Sequence, residues 1–367
     1  MTGVSIAFFG SSLVSAYWNG AATYYRGIVR ALAQRGHRVT FYEPDAFGRQ
    51  QHRDIPDPGW ATVVVYRGDD DAAAYRALED AEGSDLVVKA SGVGVYDQLL
   101  EREVLALQSS DTRVVFWDVD APATLERVRG DPLDPFHALI PRYDMVLTYG
   151  GGRPVVDAYG ALGARECVPI YNALDPATHH RVGPEPRFAG DLGFLGNRLP
   201  DREARVEEFF LRPAALLPRR SFLLGGSGWN DKAVAANVQL LGHVYTHEHN
   251  AFNCTPLAVL NVNRDSMVRY GFSPPTRVFE AAGAAACLIT DKWEGLEPFL
   301  DPESEVLVAA SGDEVAAHVS ELTRERAHSI GRAAQRRVLA EHTYADRAVQ
   351  LERVLDLVPA RPIGAGT

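Results

Sequence analysis

The chain has 367 residues, enough for two domains that each bury a core. A formal net charge of -11 excludes a general nucleic-acid binder, which needs a basic footprint. Cys167, Cys254 and Cys287 show no metal-ligand spacing and read as buried thiols in a reducing cytoplasm. No apolar run is long enough to span a bilayer, and the opening residues lack the basic flank of a signal peptide.

Residues 4–9 are a continuous apolar strand that turns out at Gly10-Ser11-Ser12. Tyr25, Ile28, Val29 and Leu32 repeat at helical spacing from about Ala21, and Gly36 ends that helix before a strand at 39–42. This βαβ opening predicts a parallel sheet. The turn after Phe9 lacks the GxGxxG pattern of a dinucleotide site, which disfavours an NAD oxidoreductase. Trp18-Asn19-Gly20-Ala21 forms a loop at the carboxyl end of the sheet, where such folds bind ligands. Asn19 and Gly20 are read as an acceptor loop, with a plain connection as the alternative.

Further strands follow at 61–66, 86–89, 113–117, 145–149 and 168–171, and the acidic turn RGDDD at 67–71 reads as a solvated helix start. Asp118 and Asp120, just past the strand at 113–117, are the most chemical-looking pair of the first half. They are read as acceptor-binding or base-catalytic carboxylates, Asp120 preferred because Pro122 fixes the turn beside it. The alternatives are a helix cap and a DxD metal site; DxD is short enough to arise by chance, and the reading assigns no metal.

Residues 174–191 carry three prolines, the pair His179-His180 and little apolar content. They read as an interdomain linker with both histidines in solvent. A second βα series runs through strands at 192–195, 221–224, 238–241, 258–262, 287–290 and 305–308; residues 312–357 are mostly helical, and Pro359 to Pro362 is a loose tail. The expected architecture is α/β. It has two Rossmann-like, doubly wound parallel-sheet domains at 1–173 and 174–340, facing a cleft, then residues 341–367.

The stretch GFSPPTRVFEAAGAAACLITD at 271–291 is the centre of the second half. Ser273 reads as an N-cap, Pro274 and Pro275 as a first turn, and Thr276 to Ala286 as a close-packed helix. Its amino end offers free backbone N–H groups to a phosphate, and Arg277 adds a guanidinium fork. Glu280, three residues on, is placed to accept hydrogen bonds from ribose. Arg198 and Arg202, after the strand at 192–195, could clamp a pyrophosphate. The turn from Gly225 to Gly228 permits close backbone approach, Trp229 packs, and Gly242-His243-Val244 could present backbone groups to a base. Each feature alone has an ordinary structural reading; together they line one rim at the carboxyl ends of successive strands.

These residues carry a resemblance. DLGFLGNRLPDRE (191–203), LLGHV (240–244), VLNVNRDSM (259–267), SPPTRVFEAAGAAACLITD (273–291) and AEHTYADRA (340–348) resemble the C-terminal domain of group 1 GT-B glycosyltransferases. The branch containing the spore maturation protein CgeB is the most similar, also through FWDVDAP (116–122) and LTYGGG (147–152). The resemblance implies a donor nucleotide sugar held mainly by the second domain and an acceptor facing the first. It implies that Glu280 binds the ribose, that Arg198 and Arg202 hold the diphosphate, and that the final helix crosses back to the first domain. Many members carry a second Glu eight residues before the ribose-binding one; here that position is Phe272.

The expected function is transfer of a sugar from a nucleoside diphosphate sugar such as a UDP sugar to an unidentified small molecule, glycan or protein. The reading assigns no metal and no cofactor, takes the donor as co-substrate, and favours retention of configuration. The alternatives are a nucleotide-sugar epimerase or hydrolase on the same plan, and a non-catalytic nucleotide-sugar-binding module.

Overall fold

The computed structural model describes residues 3–17 and 19–357; Trp18 and the tail at 359–362 lie outside the described residues. The chain divides into two compact units, one built from the residues up to Asn172 together with the helix that begins at Tyr344, the other from Ala173–Thr343.

The first unit is built on strands β1 (Ser5–Phe9), β2 (Arg38–Asp45), β3 (Thr62–Arg67), β4 (Leu86–Ala90), β5 (Arg113–Asp118), β6 (Met145–Thr148) and β7 (Cys167–Pro169). All pair in parallel, in the order β3-β2-β1-β4-β5-β6-β7. The helices α1 (Ala22–Gln34), α2 (Asp71–Asp80), α3 (Asp97–Glu103), α4 (Ala121–Gly130), α5 (Phe136–Leu139) and α6 (Gly152–Ala161) complete the alternation. A parallel sheet covered on both faces needs apolar residues on both sides of each strand, which is why β1 and β4 are almost wholly apolar, broken only by Ser5 and Lys89. Phe8 on β1 stacks on Phe41 of β2 at 5.1 Å and meets Tyr25 of α1 edge-on at 5.4 Å. Even the Lys89 side chain of β4 is buried, its ammonium held by Asp97 and the Ala90 carbonyl, each at 2.7 Å.

The second unit repeats the plan with β8 (Leu192–Leu195), β9 (Phe222–Gly225), β10 (Val238–Gly242), β11 (Ala258–Asn261), β12 (Leu288–Asp291) and β13 (Leu307–Ala309). The parallel order is β10-β9-β8-β11-β12-β13. Its helices are α7 (Pro200–Val206), α8 (Arg212–Leu216), α9 (His249–Cys254), α10 (Asp265–Tyr270), α11 (Thr276–Gly283), α12 (Gly312–Glu321) and α13 (Arg324–Glu341). The thirteen strands read from the sequence are all present, with ends moved by up to three residues, the largest change being at the end of β2.

The last helix, α14 (Tyr344–Val354), packs on α1 in the first unit. Its Glu352 receives Arg35 at 2.6 Å and contacts His37 at 3.0 Å. Burial disfavours the ionised Glu352 carboxyl, but the hydrogen bonds from Arg35 and His37 outweigh it and hold the group below the usual carboxylate range. Close approach of α14 to α1 depends on Gly27, where an added Cβ would lie 2.2 Å from the Tyr344 ring. Gly27→Ala is therefore expected to destabilise the protein by about 1–3 kcal/mol through overpacking, despite the better helix propensity of Ala. Denaturant unfolding measures this; a neutral or stabilising outcome would mean that α14 does not press on α1.

The stretch at 174–191 is not the free linker its composition suggested. Its backbone N–H groups are satisfied by side chains of the second unit: His180 donates to Asn250 Oδ1 at 3.2 Å and Glu185 to Thr255 Oγ1 at 2.9 Å. Phe188, 1% exposed, packs edge-on against Phe252 at 5.5 Å. His179 is buried with it, against the expectation of solvent exposure.

Candidate functional site

The order of the second sheet reverses between β8 and β11, so the loops after these strands flank a switch point, the usual ligand position in open α/β sheets. Helix α11 begins beside it. Its N-cap is Pro275 in an extended conformation (φ -66°, ψ 158°), not Ser273. The correction has a local cause: a residue followed by proline is pushed out of the helical region, so the Pro-Pro pair delays the helix to Thr276. The Ser273 hydroxyl donates instead to the Gly271 carbonyl at 2.9 Å. Helix α11 also stops at Gly283, before the expected Ala286, because Ala285 turns the chain with φ 57°.

Glu280 is buried in α11, with Oε2 3.6 Å from Arg277 Nη1 and Oε1 3.8 Å from His179 Nε2. Burial disfavours its ionised form, yet His179, Arg277, His249 and the Thr276 hydroxyl hold the carboxyl below its usual range. Arg277 is itself fixed by donating to Asn253 Oδ1 at 3.3 Å and to the Leu195 carbonyl at the end of β8 at 3.4 Å. His249, on the first turn of α9, turns its Nε2 to the Val244 carbonyl at 3.3 Å. Burial, with the nearby Arg277 charge, lowers this imidazole to about 4, so it is neutral at pH 7.

Arg202 has a buried guanidinium whose pKa is lowered to about 10. Burial is the main cause; Asp201 opposes it, while the Arg277 and Arg264 charges lower it further. Arg264 is paired with Asp201 at 2.5 Å, so Arg202 and Arg277 are the guanidiniums left to repel each other, and an anion placed beside them would relieve that repulsion. Arg198 is different. Its guanidinium is bracketed by Glu203 at 2.7 Å and Asp231 at 3.0 Å, and the hydrogen bonds it donates to both raise its pKa. The expectation of a free phosphate clamp at Arg198 is corrected by these carboxylates, which already occupy its donors.

Gly228 adopts φ 88° where a Cβ would sit 3.1 Å from Arg198 Cβ, so the turn needs glycine. Trp229 is buried and donates to the Gly196 carbonyl at 2.8 Å, a packing role as expected. His243 is exposed and meets Tyr245 edge-on at 4.7 Å; Val244 is buried. The reading of the sequence missed His249, and no periodicity or spacing marks it.

In the first unit the switch point lies between β1 and β4. A cavity of about 430 Å³ there is lined by Tyr17, Phe47, Arg49 and Gly94. The Asn19 side chain is consumed within its own loop: Oδ1 accepts from Ser11 at 2.9 Å, and Nδ2 donates to the Ser12 and Ser15 carbonyls at 2.8 and 3.0 Å. Asn19 is therefore a staple of the loop rather than an acceptor contact, whereas Gly20 is exposed.

Asp118 is also corrected. It is fully buried and accepts from Ser91 at 2.8 Å, the Asp120 amide at 3.0 Å, Thr124 at 3.0 Å and Tyr159 at 2.5 Å. A carboxylate so enclosed has no approach for an acceptor hydroxyl. Asp120, half-buried, precedes α4 and makes no side-chain cap bond.

Two Rossmann-like units of this kind define the GT-B class of fold, and solved GT-B structures superpose over nearly the whole chain. HepE of Anabaena, solved with UDP and glucose, matches with a TM-score of 0.65 at 13% identity, covering 96% of this chain and 99% of its own. Sucrose-phosphate synthase of Thermosynechococcus elongatus matches with a TM-score of 0.70 at 13% identity, covering 96% and 98%. An alpha-glucosyltransferase solved with UDP-glucose and DNA containing an abasic site matches with a TM-score of 0.70 at 12% identity, covering 97% and 100%. In sequence, residues 202–353 match the family model described as glycosyl transferase-like. No curated protein matches the chain in sequence. The class of enzyme expected from the sequence, a glycosyltransferase of GT-B type, is borne out by the family match together with the fold. Among the described residues no helix is long and apolar enough to cross a membrane.

Proposed function

We propose that this protein transfers a sugar from a nucleoside diphosphate sugar, with a UDP sugar as the first candidate, and that the second unit holds the donor. The observation that carries the reading is Glu280: a buried carboxyl of α11 kept ionised beside Arg277, whose charge also bears on the buried guanidinium of Arg202. An ionised carboxylate accepts two ribose hydroxyls; Arg202, Arg277 and the amino end of α11 take the diphosphate. As the bond from the anomeric carbon to the phosphate oxygen breaks, negative charge grows on the leaving diphosphate. Arg202, Arg277 and the first N–H groups of α11 meet that charge without a metal.

Retention of configuration and membership of the CgeB-like branch belong to the same proposal, resting on the motifs at 116–122, 147–152 and 273–291. The acceptor is assigned to the first unit, at the cavity beside Tyr17 and Phe47, with Asp120 the carboxylate nearest in role to a base. Three free cysteines suit a cytoplasmic setting.

A thermal-shift screen over nucleoside diphosphates and their sugars tests the donor assignment. A ligand at 100 times its Kd contributes about 2.7 kcal/mol, a rise of roughly 5–10 °C for units of this size. A uridine, guanosine or thymidine compound is expected to score and NAD to leave Tm unchanged; a flat screen would overturn the assignment. Product analysis without acceptor separates the enzyme classes, because an epimerase would convert the donor alone.

A further inference from the structure

We propose that His179, His249 and Glu280 form a binding site for a divalent transition-metal ion of the zinc type, and that the ion and the donor nucleotide compete for Glu280. The metal site rests on geometry alone; the competition rests on the donor reading above.

One ligand atom from each of the three residues lies within 4.8 Å of the other two, and His179 Nε2 stands 3.8 Å from Glu280 Oε1. That separation is too long for a hydrogen bond and close to the ligand–ligand distance of roughly 3.4 Å around a four-coordinate zinc. Among the described residues neither His179 Nε2 nor His249 Nδ1 has a hydrogen-bond partner, although both atoms are buried. His179 is only 3% exposed, so an unpaired ring nitrogen there is costly.

The orientation of His249 supports ligation. Its Nε2 faces the Val244 carbonyl, which can only accept, so the proton sits on Nε2 and Nδ1 carries the lone pair. A backbone carbonyl fixing the far nitrogen is the usual support of a metal-binding imidazole. Two imidazoles and one carboxylate form a three-ligand zinc set with a fourth position open, whereas magnesium or calcium would want oxygen ligands.

Arg277 opposes an added cation, since its Nη1 lies 3.6 Å from Glu280 Oε2. The two oxygens are divided, Oε1 toward His179 and Oε2 toward Arg277, so an ion can take the first while the guanidinium keeps the second. An ion on Oε1 removes an acceptor that a ribose would use.

The test titrates the full chain, stripped by a chelator, with Zn²⁺ by calorimetry, and with Co²⁺ as a spectroscopic probe. The expected result is one Zn²⁺ per chain and the strong visible bands of four-coordinate Co²⁺. Affinity should fall by more than about tenfold in His249→Ala and His179→Gln, since even outer-shell losses reach that size. Arg277→Gln should bind the ion more tightly. UDP should weaken Zn²⁺ binding; binding that UDP leaves untouched supports the metal site and counts against the donor reading. Absence of stoichiometric Zn²⁺, equal binding by both histidine variants, or the weak spectrum of six-coordinate Co²⁺ overturns the metal site. The cobalt spectrum needs no variant, so a substitution that fails to fold leaves the test standing.

Discussion

Glu280→Gln is expected to lower kcat/KM for the nucleotide sugar by about 100-fold, equivalent to roughly 2.7 kcal/mol of lost transition-state stabilisation. The amide keeps the shape of the side chain but removes the charge and replaces one acceptor by a donor, so two charge-assisted hydrogen bonds to ribose become at most one neutral one. The loss should appear in KM more than in kcat, because the ribose is remote from the breaking bond and is held equally in ground and transition states. The pH dependence has a defined sign. Burial alone would raise the Glu280 carboxyl, but His179 and Arg277 more than offset it and its pKa lies below the ordinary value. Its contribution to binding and to stability is therefore complete above the unfolded-state pKa, and is lost only as pH falls through the lowered native one. A donor affinity that already fades between pH 6 and 5, or a Glu280→Gln enzyme with unchanged KM, would remove Glu280 from the ribose.

The contrast between what the sequence made legible and what it did not follows the range of the interactions. The inner strands were legible because a parallel strand buried on both faces must be largely apolar, and such runs need no partner to be seen; the edge strands β3, β7 and β10 are only partly buried and were legible from their β-branched and apolar content and their place in the βα alternation. Thr276, Arg277 and Glu280 were legible as a group because helical spacing places them on neighbouring turns. Ser273 was misread through a local rule that was available, the restriction on a residue before proline. Arg198 was misread through partners at two distances: Glu203 five residues away and Asp231 thirty-three away. The burial of His179 had no local signal at all, because its neighbours come from far along the chain: α9, which holds Thr178 and His180 through Asn250 and supplies His249, and α11, which brings Glu280 and Gly283. Composition marked 174–191 as polar, and polarity does not report where backbone N–H groups find acceptors.

Asp118→Ala is expected to cost about 3–5 kcal/mol of stability, the largest effect of any single substitution considered, and to lower Tm by roughly 10 °C. The carboxylate gathers four donors inside the first unit: the hydroxyls of Ser91, Thr124 and Tyr159 and the Asp120 amide. Removing it leaves Ser91, Tyr159 and the Asp120 amide without that acceptor and Thr124 with only the Asp120 carbonyl at 3.4 Å, and each unmet buried donor costs on the order of 1 kcal/mol or more. Asp118→Asn separates this structural role from catalysis. Burial raises the Asp118 carboxyl above its usual range, by more than its hydrogen bonds to Tyr159, Ser91, the Asp120 amide and Thr124 restore. With a raised native pKa the contribution is complete below the unfolded pKa and is lost as pH rises through the native one, so the charge itself is a burden at pH 7. The uncharged amide keeps one oxygen for Ser91, Thr124 and the Asp120 amide, and its NH2 can donate to the Tyr159 oxygen once that hydroxyl turns. Asn at this position should therefore fold with a Tm close to the parent and retain glycosyl transfer, while Ala carries the lowered Tm and loses activity as the assay temperature approaches it. A well-folded Asp118→Asn chain devoid of turnover would return Asp118 to the chemistry and require that the pocket around Ser91 and Tyr159 open to the acceptor.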